Sequence, residues 1–253
     1  MIHAAALKRV DAVAMHPDEV VKTNILGTLN VIRAAMDCGV PRVLVISSDK
    51  AVSPQNAYGT SKQMAEWVAT GFNTYSVPRG TRIAAIRYGN VLGSRGSVVH
   101  VWRKALMERR KLLLTSRAAT RFIITMDQAL DCIGAALETM QGGEIFVPKL
   151  PWCQVVSIGL AMGARDTDFE MVGLRPGGEK INEQLLSADE LQRCSETAQS
   201  YVVLPHIRSW GVEKEWGYSH SIPEYVSGRE HIRRLLAVDL APLTAAVPEE
   251  GAF

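Results

Sequence analysis

The chain has 253 residues, 47% of them hydrophobic and 21% charged, with a formal net charge of +2. That length and composition suit a globular protein with a substantial core, built as one α/β domain or as a domain with a small appendage. Lysines and arginines are scattered rather than gathered into a stripe, which argues against a nucleic-acid-binding surface.

Residues 18–38 place Val21, Ile25, Leu26, Leu29 and Ile32 at helical spacing. Pro17 and Asp18 suit the start of that helix and Gly39 its end. The unbroken apolar run 43–47 reads as a strand covered on both faces. A loop with Pro and Asn follows, then a helix from about Tyr58 and a strand at 82–87. Helices are expected at 97–110 and 127–140, with a strand at 144–147. Beyond Pro148 the order is less regular, with a helix at 154–163, a strand around Phe169–Val172 and a last helix at 225–237. Residues 241–253 are rich in Ala, Pro and Glu and read as a disordered tail.

This alternation with long crossovers predicts the α/β class: a parallel, doubly wound sheet with helices on both faces. Cys38, Cys132, Cys153 and Cys194 show neither CxxC nor metal-type spacing, so reduced thiols and no metal site are expected. The N-terminus lacks the basic and apolar blocks of a signal peptide, and no run approaches the roughly 18 apolar residues of a membrane span. A cytoplasmic protein is the expectation.

Tyr58 and Lys62 form a YxxxK at the start of a helix. Four-residue spacing puts both side chains on one helix face, where an ammonium would pull the phenol's pKa down from about 10. Such a Tyr exchanges a proton with a sugar hydroxyl while a hydride moves to nicotinamide. Ser47, Ser48, Asp49 and Lys50 leave the C-terminal end of the preceding strand, the edge where open α/β sheets bind ligands. An acid beside an amine there suits proton donation and acceptance. Asn90, Val91 and the glycines at 89, 93 and 96 leave the next strand. Their GxxxGxxG spacing is not the dinucleotide GxGxxG, so they read as a substrate-facing loop. Arg121 and Arg175 carry guanidinium forks suited to pyrophosphate.

The segments HAAALK at 3–8, KTNILGTLNV at 22–31, SSDKAVSPQNAYGTSK at 47–62, RYGNVLGSRGSVV at 87–99, TRF at 120–122, GGEIFVPK at 142–149 and GLRPGGEK at 173–180 together resemble the UDP-N-acetylglucosamine 4,6-dehydratases. These are extended short-chain dehydrogenases of polysaccharide biosynthesis, and the resemblance runs from residue 3 to about 186. It implies an NADP-dependent lyase (NAD being the alternative) that is redox-neutral overall. Tyr58, helped by Lys62, takes the C4 hydroxyl proton, Lys50 removes the C5 proton, and Asp49 protonates the departing C6 hydroxyl. A lysine in that role needs a pKa well below about 10.4. Ala4, Lys8, Ser47, Ser48 and Val91 would line the cofactor beside Tyr58 and Lys62. Lys8, Asn90, Arg121, Arg175 and Glu179 would meet the UDP-sugar, and a homo-oligomer is expected.

Two departures from the family pattern stand out. RPGGEK is one Gly longer than the family's RPGEK, which bears on where Glu179 falls. Members also begin with a strand, a Gly-rich turn and a helix that precede HAAA. The resemblance therefore implies a partial Rossmann-like sheet with its first strands missing, the Gly-rich loop lying on a separate or upstream segment. It also implies a dinucleotide-binding domain at 1–150, a smaller substrate-binding part at 151–240 and the tail. Strand 43–47 would lack neighbours on one side, and residues 1–253 alone would bind NADP⁺ weakly or not at all. Two other readings remain open: a 4-epimerase of the same fold, which has no use for a C5 base beside an acid, and a non-catalytic sugar-nucleotide-binding fragment.

Overall fold

The computed structural model describes residues 1–9, 13, 15–175 and 177–205; the helix expected at 225–237 and the tail at 241–253 lie outside them. In chain order the elements are β1 (Ile2–His3), α1 (Pro17–Val20), a π-helical stretch (Val21–Leu26), α2 (Gly27–Asp37), β2 (Arg42–Ser48), a 3₁₀ turn (Asp49–Ala51) and α3 (Ala57–Ser76). There follow β3 (Arg82–Tyr88), β4 (Asn90–Val91), α4 (Val98–Met107), β5 (Leu112–Leu114), β6 (Thr120–Ile124), α5 (Met126–Thr139), β7 (Ile145–Pro148), β8 (Trp152–Gln154) and α6 (Val155–Ala161). The series closes with β9 (Phe169–Met171), α7 (Ala188–Leu191), β10 (Cys194–Glu196) and β11 (Ser200–Val203).

Six strands form the main sheet in the order β1-β2-β3-β7-β11-β10. The first four are parallel, and the last two return antiparallel. The expected α/β architecture is therefore present. Its apolar strands are covered on both faces, as their uninterrupted hydrophobicity requires. Val43 and Val45 of β2 pack with Ile32, Ala35 and Met36 of α2 and Ala69 of α3. Leu44, between them, faces the other way, toward Ala136 of α5 and Phe146. β2 pairs with β3 along its whole length but with β1 over two residues, so little strand covers that side of it.

A third core gathers Val99, Trp102, Ala105, Leu112, Leu114, Ile123, Cys153, Val156 and Ile158 around two small sheets, β4-β6-β8 and β5-β9. This core draws on residues from both sides of position 150. Beyond it the chain returns to the main sheet through β10 and β11.

The helix expected at 18–38 forms, but its buried side differs from the apolar stripe. Val21 and Leu26 are exposed, whereas Val20, Asn24, Thr28, Ile32, Ala35 and Met36 are inside. The π-helical stretch turns Asn24 inward, where polar partners await it; π-bulges of this kind often mark functional positions. Of the four cysteines, Cys153 and Cys194 are buried, Cys132 is half-buried and Cys38 is exposed. Among the described residues no helix is long and apolar enough to cross a membrane.

Arg87, at the C-terminal half of β3, is locked under the site. Its guanidinium donates to Glu66 of α3 at 2.9 and 2.7 Å, to Glu190 of α7 at 2.9 and 2.6 Å, and to the Leu185 carbonyl at 2.8 Å. One buried cation thereby joins the sheet, the helix that carries Tyr58 and the returning C-terminal segment. Removing one partner of such a group strands the others without compensation. Arg87→Met is expected to cost about 3–5 kcal/mol in urea unfolding at neutral pH. A loss below about 1 kcal/mol, the range of an exposed pair, would contradict this role.

Candidate active site

The chain turns sharply where β2 ends. Ser48 caps the 3₁₀ turn: its hydroxyl accepts from the Lys50 backbone N–H at 3.3 Å and donates to Asp49 Oδ1 at 2.9 Å. Helix α3 begins a few residues later, with Asn56 Oδ1 accepting from the Gly59 N–H at 2.8 Å as its N-cap. Gly59 lets that helix lie directly on the turn, since a Cβ there would come within 2.4 Å of the Lys50 carbonyl oxygen. The phenol of Tyr58 is thereby set beside the Lys50 side chain.

Asp49 is fully buried. Its Oδ1 also accepts from Lys50 Nζ at 3.0 Å, and its Oδ2 takes no hydrogen bond among the described residues. The same ammonium lies 3.5 Å from Glu183 Oε1. Burial works to lower the Lys50 pKa, but the two carboxylates, with Tyr58 adding to them, outweigh it and raise it above the ordinary lysine value. The depressed pKa expected for a base is therefore absent from this resting arrangement, because the amine is held between two anions.

The tyrosine differs from expectation as well. Burial raises the Tyr58 pKa, and the opposing pull comes from Lys50 and a hydrogen bond with Ser48, not from Lys62. Lys62 Nζ instead donates to the Ile46 carbonyl at 2.5 Å. Buried against the end of β2, Lys62 has its own pKa pushed down to about 8, with Glu66 pulling the other way.

A second cluster builds the opposite wall. Arg121 donates to the Thr120 and Ile181 carbonyls at 2.8 and 2.9 Å and to Glu179 Oε1 at 3.1 Å. The exposed Arg175 reaches the same carboxylate, with Nη2 2.9 Å from Glu179 Oε1. Burial alone would raise the Glu179 pKa; Arg175 and Arg121 hold it below the ordinary value. The extra glycine does not displace Glu179 from these arginines. Gly178, at φ +90°, passes so close to the loop before α3 that a Cβ would sit 2.1 Å from the Gln55 carbonyl oxygen. Asn56 Nδ2 donates to the Gly178 carbonyl at 2.9 Å, and Lys180 Nζ donates to the Val52 carbonyl. Residues 178–183 thus lie along the 50–56 loop.

The structure therefore brings Ser47, Ser48, Asp49, Lys50, Tyr58 and Lys62 together at the end of β2, with Arg121, Arg175 and Glu179 on the adjoining segment. Lys8 is exposed and donates to the Arg95 carbonyl at 3.2 Å, touching the glycine-containing loop after β4. Asn90 is exposed and Val91 half-buried on β4, and Ala4 is exposed just after β1. Three residues escaped the sequence reading. Asn24 bonds the Leu7 N–H and carbonyl at 2.7 and 3.0 Å and Ser61 Oγ at 2.9 Å, tying the segment after β1 to α3. Its signal was a polar residue in phase with Val20 and Ile32. Glu66 was legible as the next helical turn after Lys62. Glu183 carries no local signal, because only the fold brings it to Lys50.

The residues fit the nicotinamide end of a dinucleotide. Ser47 Oγ is buried with no hydrogen-bond partner among the described residues, at the strand end that also holds Tyr58 and Lys62. A buried hydroxyl left unsatisfied costs stability unless a ligand engages it.

A sequence model of the family described as "Polysaccharide biosynthesis protein" matches residues 1–205. A UDP-N-acetylglucosamine 4,6-dehydratase (inverting) of Campylobacter jejuni is 37% identical over 209 residues, or 82% of this chain and 62% of that protein. A UDP-glucose 4-epimerase of Rickettsia massiliae is 34% identical over 204 residues, or 79% of this chain and 60% of that one. The chain thus spans about 62% of the length of the first of these curated relatives. Among solved structures, Pen from Bacillus thuringiensis superposes with a TM-score of 0.81 at 31% identity, over 94% of this chain and 75% of that one. DesIV, a dTDP-glucose 4,6-dehydratase of Streptomyces venezuelae with NAD and TYD bound, gives 0.66 at 20% identity over 76% and 65%, a likeness of fold. The architecture is the Rossmann-type fold shared with these solved structures.

The Lys62 environment has a pH signature. Its pKa is about 8 when folded and about 10.5 when unfolded, so the unfolded chain binds more protons between those values. The cost of burying it is fully present below about pH 8 and is relieved as pH rises toward 10.5. Urea unfolding across this window should show stability rising less steeply with pH in Lys62→Met than in the wild type. Equal slopes would contradict the assignment.

Proposed function

We propose, because this chain belongs to the polysaccharide biosynthesis protein family, that it carries the reactive residues of a nucleotide-sugar 4,6-dehydratase acting on UDP-N-acetylglucosamine. The observation that carries this reading is the Asp49–Lys50 pair at 3.0 Å, its carboxylate buried and its amine partly so, set beside Tyr58 at one strand end. The phenol supplies the proton position that oxidation at C4 requires, and the acid and amine supply the two that elimination across C5 and C6 requires.

Tyr58, once ionised, takes the proton of the C4 hydroxyl as that carbon is oxidised. The 4-keto group then acidifies C5–H, and Lys50, once it has given up its resting proton, removes it. Asp49, protonated, hands a proton to the C6 oxygen, which leaves as water. A nicotinamide cofactor, NADP with NAD as the alternative, would accept hydride from C4 and return it at C6 while C5 regains a proton from Lys50. Ser47, Ser48, Tyr58 and Lys62 are the residues that would hold its reactive end, with Ala4, Lys8 and Val91 flanking. Arg175, exposed on the rim, is suited to the UDP phosphates. Arg121 backs it through Glu179, and Lys8 and Asn90 line the sugar side. The expected form is a cytoplasmic homo-oligomer whose product enters polysaccharide assembly.

The UDP-glucose 4-epimerase relative supports a second reading, a 4-epimerase. That reaction needs Tyr58 and Lys62 but no proton removal at C5, so Lys50 separates the two. Purified at its full natural length and given UDP-N-acetylglucosamine with NADP⁺, the protein should release a 4-keto-6-deoxy product, seen by mass spectrometry as loss of one water. Lys50→Ala should reduce that product roughly 100-fold or more. Accumulation of the C4 epimer, with Lys50→Ala fully active, would replace the dehydratase reading.

A further inference from the structure

Glu183 lies on the segment after RPGGEK, far from Lys50 in sequence, yet its buried carboxylate ends 3.5 Å from the Lys50 ammonium. Its other oxygen, Oε2, lies 3.6 Å from Lys180 Nζ and takes no hydrogen bond among the described residues. Lys180 is held in turn by the Val52 carbonyl, and Gly178 fixes the segment's approach. The charges therefore alternate along one buried line: Asp49 negative, Lys50 positive, Glu183 negative, Lys180 positive. Tyr58, on α3, is the remaining titratable group that bears on Lys50.

A buried ammonium facing one carboxylate is free to swing about it, whereas one placed between two is pinned. Two anions also stabilise the charged form, which burial disfavours. We propose that Glu183 is a positioning residue of this site: opposite Asp49, it fixes the Lys50 side chain and sets the proton charge Lys50 carries before substrate arrives. It acts through Lys50 rather than on the sugar. The C-terminal segment thereby takes part in the proton chemistry of the β2 loop as well as in substrate contact. The functional consequence rests on the dehydratase reading; the coupling itself does not.

The test is an NMR titration of the protein with ¹³C-labelled lysine, the Lys50 Cε signal being assigned by its loss in Lys50→Met. Glu183→Gln keeps the side-chain volume and removes the charge, and it should lower the Lys50 titration midpoint by about one unit or more. An unmoved midpoint would overturn the proposal. Should Glu183→Gln fail to fold, Glu183→Asp keeps the charge but draws it back from the ammonium. It should lower the Lys50 midpoint by a smaller interval, and no fall would again overturn the proposal. In the active protein, the limb on which dehydration increases with pH should move to lower pH in Glu183→Gln by the same interval. A moved NMR midpoint with an unmoved activity limb would uphold the Glu183–Lys50 coupling and count against Lys50 as the C5 base.

Discussion

The amine of Lys50 lies at the end of a strand, and there its charge is met from two sides. Asp49 is supplied locally, one residue earlier on the same turn. Glu183 is supplied by a segment that crosses the small sheets and comes back to the β2 loop. Because Glu183 adds to Asp49 in holding the Lys50 charge, the position of residues 178–183 bears on the electrostatics of the β2 loop. The docking depends on backbone contact. Gly178 against the Gln55 carbonyl and Gly59 against the Lys50 carbonyl allow approaches that any Cβ would block.

The same economy runs through the layer beneath. Arg87 gathers Glu66 and Glu190, so the helix that carries Tyr58 and Lys62 cannot drift from β3 without uncovering a buried charge. Asn24 does the corresponding task at the other edge, joining the stretch after β1 to Ser61 on α3. The apolar faces of β2 and β3 supply most of the cohesion, and these polar clamps fix where the ends of the strands point. Function in a Rossmann-type sheet sits at those ends.

Much of this was legible in sequence. β2 and β3 announced themselves as unbroken apolar runs, and helices α3, α4 and α5 fell close to their expected positions. Ser47 to Lys50 and the Tyr58–Lys62 pair converge because one strand end and one helix start carry them. Short strands were harder: Leu112–Leu114 and Thr120–Ile124 lie between helices with no turn chemistry to mark them. The returning strands β10 and β11 pair antiparallel, against the parallel rhythm of the first half. The buried side of the helix at 18–38 was misjudged because hydrophobicity was taken as the sign of burial, while the fold buries Asn24 and Thr28 and leaves Val21 and Leu26 outside. The pKa expectations for Lys50 and Tyr58 failed for a related reason. The one for Tyr58 took Lys62 as the phenol's partner, whereas burial raises the Tyr58 value and the opposition comes from Lys50 and Ser48. The one for Lys50 needed burial or a cation to prevail, whereas Asp49 and Glu183 outweigh burial there.

In the proposed function, a lysine clamped between carboxylates beside a tyrosine handles the proton on C5 of a hexose. Conversion of UDP-N-acetylglucosamine in deuterium oxide, with NMR of the sugar product, reports on that atom directly. The account predicts solvent deuterium at C5 of the 4-keto-6-deoxy product from the wild-type protein. A product carrying only the original hydrogen at C5, or one in which C4 alone has been inverted, would contradict it.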